Sequence, residues 1–138
     1  MAEEMGSIVE YSVDLNQQEA PQPLPVGTYS GVIRSTEKKE SQRGTMYAEV
    51  RFHIDAKQFP ADFEDGSDEG LTIVYRRCSL EDNPQARYGT RRFCEAIGAP
   101  LAKQIDISEW VGMEAALEVT HDTFEGITRA QINRVNSI

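Results

Sequence analysis

Between Met46 and Asp55 the chain alternates without a break: Met46, Ala48, Val50, Phe52 and Ile54 are apolar, and Tyr47, Glu49, Arg51, His53 and Asp55 stand between them. A period of two over ten residues fits a half-buried strand and no helix, because successive side chains of a strand point to opposite faces. The chain must therefore supply a sheet with a core on one side of this segment. Three other stretches carry strand composition. Gly27 to Arg34 is rich in β-branched and aromatic residues and stops at the polar run Glu37 to Gly44; Leu71 to Cys78 is a strand whose phase is hidden by consecutive apolar residues; Met113, Ala115, Leu117 and Val119 alternate again and lead through a turn, His121 to Gly126, into a last strand from Ile127 to Val135.

One helix interrupts them. Asn83 can cap free amides, Pro84 fits a first turn, and Gly98 supplies the stop. Ala86, Phe93 and Ile97 share one face, while Arg87, Arg91 and Glu95 follow one another at four-residue spacing on another. After it, Asp106 to Glu109 has the spacing of a short capped turn, with Trp110 and Val111 as anchors and Gly112 as the break. The order β-β-β-α-β-β is that of an OB-fold, a mainly β, five-stranded Greek-key barrel with one helix between strands three and four. It is assigned to residues 25–138. Residues 1–24 are an acidic extended leader ending in Pro21-Gln22-Pro23-Leu24-Pro25.

Charge decides what such a barrel could bind. The 23 acids and 14 bases give -9, which by itself argues against a nucleic-acid-binding surface. Its location changes that reading. Residues 1–24 carry Glu3, Glu4, Glu10, Asp14 and Glu19 with no base, and residues 62–69 carry Asp62, Glu64, Asp65, Asp68 and Glu69 with no base, so these segments hold -5 each and the rest of the chain comes to +1. Ten of the 14 bases are Arg, whose planar fork suits phosphate and flat rings. No apolar run of 18 residues and no signal-type start occurs, which places the chain in the cytoplasm, away from membranes. Cys78 and Cys94 are too far apart for a CxxC pattern and read as buried thiols.

In an OB-type barrel the ligand lies on strands two and three and on the loops joining strands one to two and four to five. Those positions hold Lys38, Lys39 and Arg43 in the first loop, Tyr47, Arg51 and His53 on strand two, Tyr75, Arg76 and Arg77 on strand three, and Phe124 in the last loop. Cations interleaved with aromatics are what single-stranded nucleic acid needs: a charge for each phosphate and a ring for each base. Tyr47, Tyr75 and Phe124 are the expected stacking residues. The same residues are also ordinary cross-strand partners, and Glu37, Glu40 and Glu49 could neutralise the cations. Catalytic and cofactor signals are missing. No GxxxxGK, GxGxxG, HExxH or GxSxG occurs, and in an EF-hand register starting at Asp65 the twelfth position is Arg76 where a bidentate Glu belongs. The expectation is a protein that is not an enzyme and takes no cofactor or metal. The competing expectation is an acidic interaction module or DNA mimic that occupies a basic surface on a replication or host-defence protein.

Tyr11-Ser12-Val13-Asp14-Leu15 leading to Leu24-Pro25-Val26-Gly27-Thr28-Tyr29, Leu80 to Pro84 opening a helix that ends Ala96-Ile97-Gly98, Trp110-Val111-Gly112, and Arg129 to Val135 together carry a likeness. The chain resembles a bacteriophage domain family of unknown function associated with phage replication and recombination, whose members look like single-stranded DNA-binding OB proteins. The resemblance implies an OB-type fold, single-stranded DNA as ligand, replication or recombination proteins as partners, and the host cytoplasm as location. The acidic stretch at 60–70 and the Arg76-Arg77 pair depart from the family pattern. The leader could also add a strand to a neighbouring subunit and make a homo-oligomer.

Overall fold

The computed structural model describes residues 6–138; Glu3 and Glu4, counted above among the acids of the leader, lie outside them. Five strands, β1 (Gly27–Glu40), β2 (Met46–Ile54), β3 (Leu71–Ser79), β4 (Glu114–Phe124) and β5 (Ile127–Asn136), and one α-helix among the described residues, α1 (Pro84–Ile97), make a mainly β fold. The strands form one antiparallel sheet in the order β3-β2-β1-β4-β5. With β4 returning to lie beside β1, the first four strands have the Greek-key order.

The long first strand is the pivot of the sheet. Gly27–Val32 pairs with β4, Val32–Glu40 pairs with β2, and a register shift between Ile33 and Ser35 separates the two halves. A bulge bends a strand and increases its twist, which lets β1 serve both partners. Gly31 sits at the bend, where any Cβ would run into the Leu117 side chain, so the close approach of β1 to β4 requires glycine.

The inward face of β2 behaves as its alternation demands. Ala48, Val50, Phe52 and Ile54 are buried with Ile33, Leu117, Val119 and Ile132. Helix α1 closes this core with Phe93, Cys94 and Ile97, and Asn83 Oδ1 accepts from Ala86 N at 2.9 Å as its cap. Asn83→Ala is expected to cost about 1 kcal/mol, read as a lower urea midpoint at unchanged slope. Trp110 ends a 3-10 turn, Ile107–Trp110, and stands 5.2 Å from Phe93 between ring centroids. Val111, the other expected anchor, is half exposed instead.

Three expectations are corrected. The sheet is not closed into a barrel: β3 and β5 approach each other but no ladder joins them, and they remain its two edges. Glu37–Glu40, read from their polarity as a loop, continue β1, and His121–Phe124 continue β4. The last hairpin turns on Glu125 and Gly126 alone, with φ of 52° and 78°. Both residues in the left-handed region make the tight turn whose twist matches the flanking strands, and this carries pairing out to the exposed Phe124↔Ile127 pair.

Candidate nucleic-acid interface

The outward face of β2 is organised by a carboxylate. Glu49 is 2% exposed, the one buried charged side chain among the described residues. Its Oε1 lies 2.6 Å from Arg51 Nη2, a charge contact without hydrogen-bond alignment; its Oε2 accepts from Arg76 Nε at 3.1 Å and lies 3.5 Å from Lys39 Nζ. The three cations come from three strands. Glu37 stands directly opposite Glu49 in the β1–β2 register, where two carboxylates alone would repel. Lys39 bridges them, with its Nζ 3.8 Å from Glu37.

Burial by itself would raise the Glu49 pKa. The hydrogen bond from Arg76 and the charges of Lys39, Arg51 and Arg76 outweigh it and hold the carboxyl below its usual range. A buried carboxylate ringed this way stays ionised and fixes the cations around it. The cations themselves stay reachable: the Arg76 side chain is 61% exposed and those of Arg51 and Lys39 a little over a third. Lys39, Arg51 and Arg76 together outnumber Glu37 and Glu49 in this cluster, and Arg77 is exposed next to Arg76.

The register of β3 explains how both arginines become available. Ala48 pairs with Cys78 and Val50 with Tyr75, so one residue of β2, Glu49, faces two of β3, Arg76 and Arg77. Strict alternation would send one of that pair inward; the bulge leaves both exposed.

The expected site residues divide accordingly. Lys39, Tyr47, Arg51, His53 and Arg76 share the outer face of β1–β3, with Arg77 at its edge. Tyr47 is half-buried opposite Lys39, and the ring of His53 lies against the Gly70 backbone. Arg43 is exposed in the β1–β2 turn, held by Ser41 N donating to Thr45 O at 2.8 Å. Lys38, expected beside Lys39 in a loop, points the other way in the strand and lines a cleft between α1 and residues 101–107. Tyr75, expected to stack on bases, faces the core: its ring stacks on Phe93 at 5.6 Å and 11°, and burial raises its pKa. Phe124 is 72% exposed at the tip of the β4–β5 hairpin, apart from the Glu49 cluster.

Both acidic segments reach the groove beside β3: Ala20–Leu24, Phe63 and Asp65 line it together with Arg76 and Arg77. Leu24 is buried and its carbonyl meets His121 Nε2 at 2.8 Å. Gln22 N donates to Asp65, and Glu64 N donates to Gln22 Oε1 at 3.3 Å, so the leader and the 62–69 loop are tied to each other. Among the described residues no carboxylate of either segment pairs with a cation. Sequence reasoning missed this tie and the central role of Glu49.

Cys78 and Cys94 are free and buried; burial pushes the Cys78 thiol up to about 11 and raises Cys94 as well. No group of three or more His, Cys, Asp or Glu placed to hold a metal occurs among the described residues, and no helix among them is long and apolar enough to cross a membrane. No protein-family model and no curated protein matches the sequence.

Proposed function

We propose that this protein binds single-stranded DNA without sequence preference across the outer face of β1, β2 and β3, in support of phage DNA replication, recombination or repair. One observation carries the proposal: Lys39, Arg51 and Arg76 converge from three strands on buried Glu49 and are held in place while their outer N–H groups stay exposed. Cations ordered beforehand lose less freedom when phosphates arrive. Arg offers phosphate a bidentate fork, and Tyr47 beside Lys39 offers a base a ring. Phosphate and stacking contacts ignore base identity, which makes the binding sequence-tolerant.

The fold reading accompanies it. A bent β1 shared by two partners, Greek-key order, a helix after β3 and edges that approach each other fit an OB-type barrel opened between β3 and β5. The likeness to the phage family supports the same ligand. A second reading, an acidic interaction module or DNA mimic, is favoured by the Gln22 bonds that join the two acidic segments.

Anisotropy titration of a labelled oligo-dT against a duplex of equal length separates the two. The single strand is expected to bind more tightly at 50 mM salt, and Tyr47→Ala to weaken it roughly five- to a hundredfold, the worth of one stacked base. No binding at that salt, or equal binding of the duplex, sinks the DNA reading.

A further inference from the structure

Residues 9–15 carry a second strict alternation: Val9, Tyr11, Val13 and Leu15 are apolar, with Glu10, Ser12 and Asp14 between them. This is the pattern of a strand with one buried face. In the folded chain all four apolar side chains are between 48% and 67% exposed, and the segment belongs to no sheet. Its amphipathic face is unpartnered.

The sheet offers a matching vacancy of backbone pairing. The edges β3 and β5 bound a groove of about 1060 Å³, lined by apolar Leu71, Ile73 and Ile132, by the cations Arg76, Arg77 and Arg129, and by two acids, Asp65 and Asp122, which leave the cations in excess by one. An edge strand presents unpaired N–H and C=O groups, and strand addition is the general way such an edge takes an extended peptide. The groove's cations face a segment whose charged residues, Glu10 and Asp14, are both acids.

The chain's own leader leaves from the mouth of this groove. Ala20–Leu24 line it, Leu24 is buried, and Gln22 is tied to Asp65, whereas none of residues 9–15 lines it and their apolar side chains are exposed. Leu15–Gln17 form a 3-10 turn capped by Asp14, and once that turn is extended the five steps from Leu15 to Ala20 span at most about 18 Å.

We propose that residues 9–15 of a second copy add as a strand in the groove between β3 and β5, making a reciprocal two-fold dimer. The occupant is this chain's own leader, chosen by its alternation, its exposure and its charge. The groove shares Arg76 and Arg77 with the proposed DNA site, so the inference is tested without DNA, and its failure leaves the DNA reading standing.

Light scattering on the full chain from 1 to 100 μM, with hydrogen exchange of the leader amides, tests it. The expected result is a mass approaching twice 15.5 kDa, with protected amides in 9–15. Val13→Asp with Leu15→Asp, at exposed positions that leave the fold intact, is expected to weaken association at least tenfold and abolish that protection. A monomer at every concentration overturns the proposal, as does a dimer indifferent to the double substitution. A monomer with protected 9–15 amides also overturns it, by placing the strand in its own chain's groove.

Discussion

Trp110→Ala is expected to lower the folding free energy by about 3–5 kcal/mol, the usual cost of truncating a fully buried aromatic. Trp110 is 2% exposed and packs on Phe93, which in turn meets Phe52 and Tyr75. The indole also terminates a segment bound to the pivot strand: Thr36 Oγ1 donates to Ile107 O at 2.8 Å, and Gly112 N donates to Ile33 O at 2.8 Å. With its neighbours held by these bonds, the site cannot collapse around the missing ring, so the cavity remains. Domains of this size have a total stability of about 5–15 kcal/mol, and the variant should lose a large part of it. Urea denaturation measures the change, with Val111→Ala, half exposed at the next position, as the control expected to stay within about 0.5 kcal/mol. A cost below about 1 kcal/mol for Trp110→Ala would mean that α1 and β1 are not joined through this residue.

Glu49→Gln is expected to cost about 2–3 kcal/mol at neutral pH. Removing one member of a fully buried ion pair costs 3–5 kcal/mol; the cations left here are partly solvated, which places the loss lower. The pH dependence has a definite sign. The folded-state pKa of Glu49 lies below its ordinary value of 4.5, so the unfolded chain takes up the proton first on acidification. The stabilisation from Glu49 is therefore complete above that ordinary value and is lost as pH falls through the lower folded-state value. Midpoints measured from pH 7 downward should fall in the wild type below about 4.5 and fall less in Glu49→Gln. Equal pH profiles for the two proteins would show that the carboxylate is not held by its three neighbours.

Much of the fold is legible in the sequence because the alternation of Met46–Ile54 assigns faces without ambiguity and because Asn83-Pro84 and Gly98 bracket α1. The limits have physical causes. Lys38 and Lys39 look equivalent as loop residues, but once β1 extends to Glu40 the pleat sends them to opposite faces. Tyr75 sits within an apolar run that hides the phase of β3, and only the pairing of Val50 with Tyr75 turns its ring inward. Arg76 and Arg77 share exposure through a bulge, a feature of the ladder rather than of either residue. In the sequence Glu49 is one of three acids able to neutralise the face; that it gathers Lys39 and Arg76 depends on strands 10 and 27 residues away and leaves no local pattern. The location of the -9 charge matters because, among the described residues, the acids of the leader and the 62–69 loop form no ion pair with the Glu49 cluster.

The most direct measurement of DNA binding at this face is the slope of log affinity against log salt for oligo-dT, compared between the wild type and Arg76→Ala with Arg77→Ala. Each phosphate neutralised on a single strand contributes about -0.7 to that slope, so Lys39, Arg51, Arg76 and Arg77 together should give about -3, and the double substitution should reduce its magnitude by about 1.4. A slope near zero, or one unchanged by loss of both arginines, would contradict a DNA site centred on Glu49.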